Sequence, residues 1–157
     1  MALMKLKYLV EEFLKIDLGY PKGEHRIREQ GNPRGAAEMC KILGVASNGS
    51  FEKFYEYCDG IDLPDVGNGY YVLSLSDIVS VNGMNSEPNR FNNKDIVMFG
   101  TDGGGGRFVI TKDSNEIYYL PTAEVTASRD YRGHQVKLEV SGMEGFVQYL
   151  RDRVEEQ

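Results

Sequence analysis

The sequence predicts an α+β fold: a central, mostly antiparallel β-sheet with helices packed on it and helices at both chain ends. Three observations carry this. Apolar residues recur at helical spacing in the first third of the chain. From Tyr70 onward the pattern changes to short β-rich runs separated by turns. Helical spacing returns at the end. Helices, then strands, then a helix is the order of an α+β domain, not of repeated βαβ units. The 157 residues fit one domain, 1–157, with the first helix and loop (1–32) as an extension.

Each element follows from local chemistry. Leu3, Leu6, Leu9, Val10, Phe13 and Leu14 form one apolar stripe, ended by Gly19 and Pro21. Residues 20–32 (YPKGEHRIREQGN) are polar and locally basic and read as a loop or lid. Asn32-Pro33 opens a second helix as N-cap and first-turn proline. Ala36, Met39, Cys40 and Leu43 make its buried face, and Gly44 stops it. Ser50 is the expected cap of a third helix, FEKFYEYC, whose Phe51, Phe54, Tyr55 and Cys58 face the core. Gly60 ends it, and IDLPDVGNG reads as a turn-rich exit.

The strand region begins at YYVLSL (70–75). SDIVSVN (76–82) is a short helix or a continuation of that strand, and 83–93 is a loop. DIVMFG (95–100) is a buried strand, TDGGGG a turn, RFVITKD (107–113) and IYYL (117–120) an antiparallel continuation. VKLEV (136–140) is the candidate last strand. Ser141 and Glu144 have capping-box spacing. Met143, Phe146, Val147, Leu150 and Val154 then line one face of the closing helix.

Composition excludes several functions. The net charge of −6 opposes direct nucleic-acid binding, which needs a basic face to displace counterions. Two cysteines are too few for a disulfide framework or an all-cysteine zinc site, which fits a reducing, cytoplasmic setting. No stretch approaches the roughly 20 apolar residues of a membrane span. No cofactor or metal is expected.

Among local candidates, the run Gly103-Gly104-Gly105-Gly106 is the most visible. Glycine loops can cradle phosphate, but they lead from a strand into a helix; this one joins two strands and lacks a P-loop ending. A tight hairpin turn explains it better. His25 and His134 stand alone and read as surface residues. Cys40 and Cys58 lie on apolar helix faces and read as core. Ser47 and Ser50 flank Gly49 without forming a nucleophile elbow. Charge is uneven: residues 51–77 hold Glu52, Glu56, Asp59, Asp62, Asp65 and Asp77 against Lys53, a local balance of −5. The ordinary reading is a solvated face. The functional one is an acidic dock for a basic partner, with Glu56, Asp59, Asp62 and Asp65 as contacts and Tyr55 or Tyr57 as aromatic anchor.

Taken in order, these segments resemble the SUKH superfamily, which contains bacterial toxin-immunity proteins and fungal cell-wall regulators. The resemblance rests on FEKFYEYCDGIDLP with its Asp59-Gly60 step, on YYVLSL, and on IVMFGTDGGGGRFVITKDSNEIYYL with Gly100, Asp102 and Gly103 to Gly106 in place. The closing GFVQYLRDRV completes it, so that it spans residues 33–154. ASNGS stands where the family has Leu-Pro, and Arg107 where it is often acidic. The resemblance implies an antiparallel sheet carrying helices and a non-catalytic role. It also implies that Gly100, Asp102 and the glycine run serve the fold. It transfers no catalytic residue and no binding surface.

The expectation is therefore a protein-binding domain, an antidote that neutralises a basic toxin enzyme such as a nuclease. The alternative is a regulatory or scaffold module of a cellular complex. A third reading, an enzyme or small-ligand binder, needs a histidine, a cysteine and carboxylates to converge in one pocket.

Overall fold

A computed structural model of the chain describes Tyr8, Glu11, Lys15, Asp17 and residues 25–28, 31–47 and 49–156. The helix predicted over the N-terminal stripe lies outside the described residues. The described elements run β1 (Arg26–Ile27), α1 (Pro33–Leu43), α2 (Ser50–Tyr57), β2 (Ile61–Leu63), β3 (Tyr70–Val72), α3 (Leu75–Asn82), β4 (Arg90–Phe91), β5 (Lys94–Asp102), β6 (Arg107–Thr111), β7 (Ile117–Leu120), β8 (Val136–Lys137) and α4 (Gly142–Glu155). The α+β architecture is as expected.

Seven strands form one sheet in the order β1-β2-β3-β5-β6-β7-β8, and β4 pairs with β5 off that path. All seven pairings between the described strands are antiparallel, and an isolated parallel bridge joins Arg90 to Asp130. β5 is the spine. One of its edges pairs along its length with β6; the other is shared between β4 at Lys94 and Asp95 and β3 at Gly100 to Asp102. In between, Asn82 at the end of α3 substitutes for a strand. Its side-chain oxygen accepts the Met98 N–H (2.9 Å), and its amide donates to the Met98 carbonyl (2.8 Å). A bulge between Met98 and Gly100 re-aims β5 at this point.

Period-two alternation divides the apolar residues of the spine between two buried faces. Val97, Phe99, Phe108, Ile110 and Ile117 join the main core with Met39, Phe51, Phe54 and Phe146 from the helices. Phe99 and Phe108 each meet Phe146 edge to face, with centroids 5.1 and 5.0 Å apart. Ile96, Met98, Val109, Tyr118 and Leu120 point the other way and are covered by Phe91 and Tyr131. Burial on both faces is why these strands read as apolar runs. The Tyr131 hydroxyl lies 2.5 and 2.9 Å from the carbonyls of Pro121 and His134, which ties the covering loop shut.

Several expectations need correction. The segment expected as a loop or lid over 20–32 contains β1, and the expected exit after α2 contains β2. The loop expected over 83–93 contains β4, joined to β5 by Asn92 and Asn93, both at positive φ (47° and 62°), the geometry of a tight hairpin turn. YYVLSL is a strand only to Val72. Ser74 then caps α3, accepting the Asp77 N–H at 3.2 Å. In VKLEV only Val136–Lys137 is a strand. The two expected serine caps act differently. Ser50 is the first residue of α2 behind an N-cap of Gly49, and Ser141 makes no side-chain cap bond. Instead the Ser50 Oγ accepts the Met143 N–H (3.0 Å), so a residue on α2 caps α4. Asn32 and Gly44 behave as expected: Asn32 accepts the Gly35 N–H (3.0 Å), and Gly44 closes α1 at φ 74°.

Candidate functional site

Two places repay a chemical reading: the glycine turn between β5 and β6, and the acidic stretch along β2.

The glycine turn is filled by its own chain. One oxygen of Asp102 accepts the N–H groups of Gly104 (3.0 Å) and Gly106 (2.8 Å); the other accepts the Tyr119 hydroxyl (2.5 Å). Gly103 N–H donates to the Gly69 carbonyl (2.8 Å). The amides a phosphate would use are already bonded to a carboxylate, whose charge repels an anion. Glycine is required here for packing. A Cβ on Gly103 would lie 1.6 Å from the Asn68 carbonyl oxygen, and one on Gly106 2.2 Å from the Tyr119 hydroxyl. Gly100, at the bulge, approaches the Tyr71 carbonyl, where a Cβ would sit at 2.9 Å. Burial, then the bond to Asp102, pushes the Tyr119 hydroxyl well above the ordinary tyrosine range.

The acidic stretch is organised differently. α2 ends at Tyr57, Gly60 turns the chain at φ 108°, and β2 runs antiparallel to both β1 and β3. Asp62 is the centre. Its side chain is 10% exposed and receives Arg26 Nε (2.9 Å), Arg28 Nε (3.0 Å) and Arg28 Nη2 (3.0 Å). Burial pushes the Asp62 carboxyl up, but the bonds from Arg28 and Arg26 outweigh it and hold it below the ordinary aspartate value. Arg28 also lies 3.7 Å from Asp77, and Asp59 contributes to the field at the same guanidinium. Asp59 has a structural task as well: it accepts the Leu75 N–H (2.8 Å) at the start of α3.

Asp65 pairs with His25. The ring Nε2 accepts the Asp65 N–H (3.2 Å), and Nδ1 faces the Asp65 carboxylate at 3.7 Å. That bond places the proton of the neutral ring on Nδ1. His25 was expected at the surface, but its side chain is only 7% exposed because β1 brings it under the Asp65 loop. Glu56 is half-buried at the last turn of α2. Tyr55 is buried and donates to the Leu73 carbonyl (2.7 Å), so it cannot serve as an exposed anchor, and Tyr57 is half-buried against the main core.

Of the four acidic residues named from sequence, Asp59, Asp62 and Asp65 are brought to one edge of the sheet, though not as a bare anionic face, whereas Glu56 lies in the last turn of α2 and acts on Cys40 of α1. The basic residues of β1 sit on them. Sequence reading missed Arg26 and Arg28 because they lie 36 and 34 residues from Asp62.

The remaining reactive side chains stay apart. Cys40 and Cys58 are free and buried. Burial, opposed only in part at Cys58, pushes both thiols up to about 11, which suppresses the thiolate. His134 is exposed. Among the described residues, no group of three or more His, Cys, Asp or Glu side chains is placed to hold a metal ion. An open groove of about 440 Å³ runs between residues 137–141 and α4, at the β8 end of the sheet. Its charged residues are Lys137, Glu139 and Asp152, and neither histidine nor either cysteine lines it. No described helix is long and apolar enough to cross a membrane. Comparison with known proteins leaves the family open: no family model matches the chain, and no curated protein matches it.

Proposed function

We propose that this protein is a non-catalytic binding domain that neutralises a basic toxin enzyme, such as a nuclease, by occluding it. The observation that supports this is the gathering of Asp59, Asp62, Asp65 and Asp77 at one sheet edge, in a chain of net charge −6. Enzymes that act on nucleic acid hold their substrate in basic channels, and an edge of this charge is complementary to such a channel. The resemblance to the SUKH superfamily points the same way, because many of its bacterial members look like antidotes.

The test has two steps. Tagged protein is used to capture its partner from lysate of the source organism. The captured partner is then assayed for enzyme activity with and without an equimolar amount of this protein. The reading expects one stoichiometric basic partner whose activity is suppressed. A partner whose activity is untouched, or recovery of a multi-protein assembly, overturns it in favour of a scaffold role.

A further inference from the structure

The β2 edge carries more information than its charge, because a segment of the chain is already seated on it. β1 lies antiparallel to β2, with Arg26 opposite Asp62 and Ile27 opposite Ile61. Backbone bonding continues one residue further: Arg28 N–H donates to the Gly60 carbonyl (2.9 Å), and the Arg28 carbonyl accepts the Asp59 N–H (2.7 Å). Residues two apart share a face, so Arg26 and Arg28 both reach Asp62 while Ile27 turns inward against the main core. The edge therefore reads an extended basic–apolar–basic segment. Main-chain bonds hold it, and alternate side chains identify it.

From this we infer that the partner engages the protein by strand exchange: an extended segment with basic residues at alternate positions takes the place of Arg26-Ile27-Arg28 on β2. This rests on the binding reading above and names the chemistry the partner presents. Two features favour exchange. The resident strand is short, with two paired residues. Among the described residues the edge also gathers more acidic than basic side chains. Asp59, Asp62, Asp65 and Asp77 are gathered around the guanidiniums of Arg26 and Arg28 and the ring of His25. A partner strand with three or more cations is matched to this acidic surround. The resident strand still has the advantage of being tethered, equivalent to roughly millimolar concentration, so a free peptide competes poorly unless β1 is weakened.

That competition is the test. The probe is a fluorescein-labelled peptide of the chain's own residues 22–31, KGEHRIREQG, titrated by anisotropy at low salt against the full-length protein. The receptors are the wild type and the R26Q/R28Q variant, with folding checked by thermal melting. The expected result is at least tenfold tighter binding to the variant than to the wild type. The same peptide with both arginines replaced by glutamine should bind at least tenfold more weakly. Equal affinity for the two receptors, or no saturable binding to the folded variant, overturns the proposal. Should the double variant not fold, R26Q alone replaces it, since that side chain is 58% exposed and Arg28 keeps its own bonds to Asp62. Failure here with the captured enzyme still inhibited removes strand exchange alone. Peptide binding without inhibition removes the antidote role alone.

Discussion

The glycine turn and the acidic edge are each built around one aspartate, and they use it in opposite ways. Asp102 is answered from its own hairpin and the neighbouring strand: two glycine amides and the Tyr119 hydroxyl. Asp62 is answered by two arginines on a strand that comes from before α1. The turn has the sequence of a ligand cradle and is filled locally. The edge has the sequence of a solvated charge run and is a seat for an extended basic strand. A motif's visibility in sequence thus says little about whether it receives something from outside. What matters is whether its polar groups are satisfied locally or by a separable segment.

The comparison can be broken most sharply at the turn. Gly103→Ala forces a Cβ against the Asn68 backbone carbonyl and should cost about 3 kcal/mol, the upper end for overpacking a tight site. A chemical melt showing a loss under ~1 kcal/mol would mean that the turn is not packed as described. At the edge, Asp62→Asn weakens three charge-assisted contacts and should cost roughly 2 kcal/mol at neutral pH. Because the folded carboxyl titrates below its ordinary value of 3.8, its contribution is present above that pH and fades as pH falls through the folded value. The gap between wild type and Asp62→Asn in a series of melts should therefore close below pH 3.8 and stay constant above it.

Smaller effects sharpen the picture. Tyr119→Phe removes one bond to the Asp102 carboxylate, about 1.5 kcal/mol. Burial and Asp102 raise the Tyr119 hydroxyl above its ordinary value of 10.0, so the unfolded chain ionises first and the folded state loses stability as pH rises past 10.0. The Phe variant should lose less stability over that alkaline range. Thiol titration of the native protein at pH 8 should label neither Cys40 nor Cys58, whereas unfolding should release both; fast labelling of the native state would contradict their burial. The smallest change in stability is expected for Asp77→Asn, within ~0.5 kcal/mol, because that carboxylate is 55% exposed and only 3.7 Å from Arg28.

Elements long enough to show a period were legible in the sequence. α1, α2 and α4 present their apolar residues at helical spacing, and β6 and β7 stand out as short apolar runs between turns. β1, β2 and β4 were not legible, because two or three residues carry no measurable period. Ser50 shows another limit. Its residue type signals a cap, but the helix it caps is α4, which starts more than ninety residues later and reaches it only in the folded chain. The candidate site was half legible: its carboxylates stand in one run, while the arginines that bond Asp62 come from the segment read as a loop or lid.

The most direct test of the central claim is to measure how the captured partner is retained across a salt series by the wild type and by Asp65→Asn/Asp77→Asn. Asp65 lies 3.7 Å from His25 and Asp77 3.7 Å from Arg28, so the neutral amides remove two charges from the edge while Arg26 and Arg28 keep their bonds to Asp62. The account predicts at least tenfold weaker retention by the variant at low salt and a shallower dependence on salt. Equal retention with equal salt dependence would show that the partner binds elsewhere, and would contradict it.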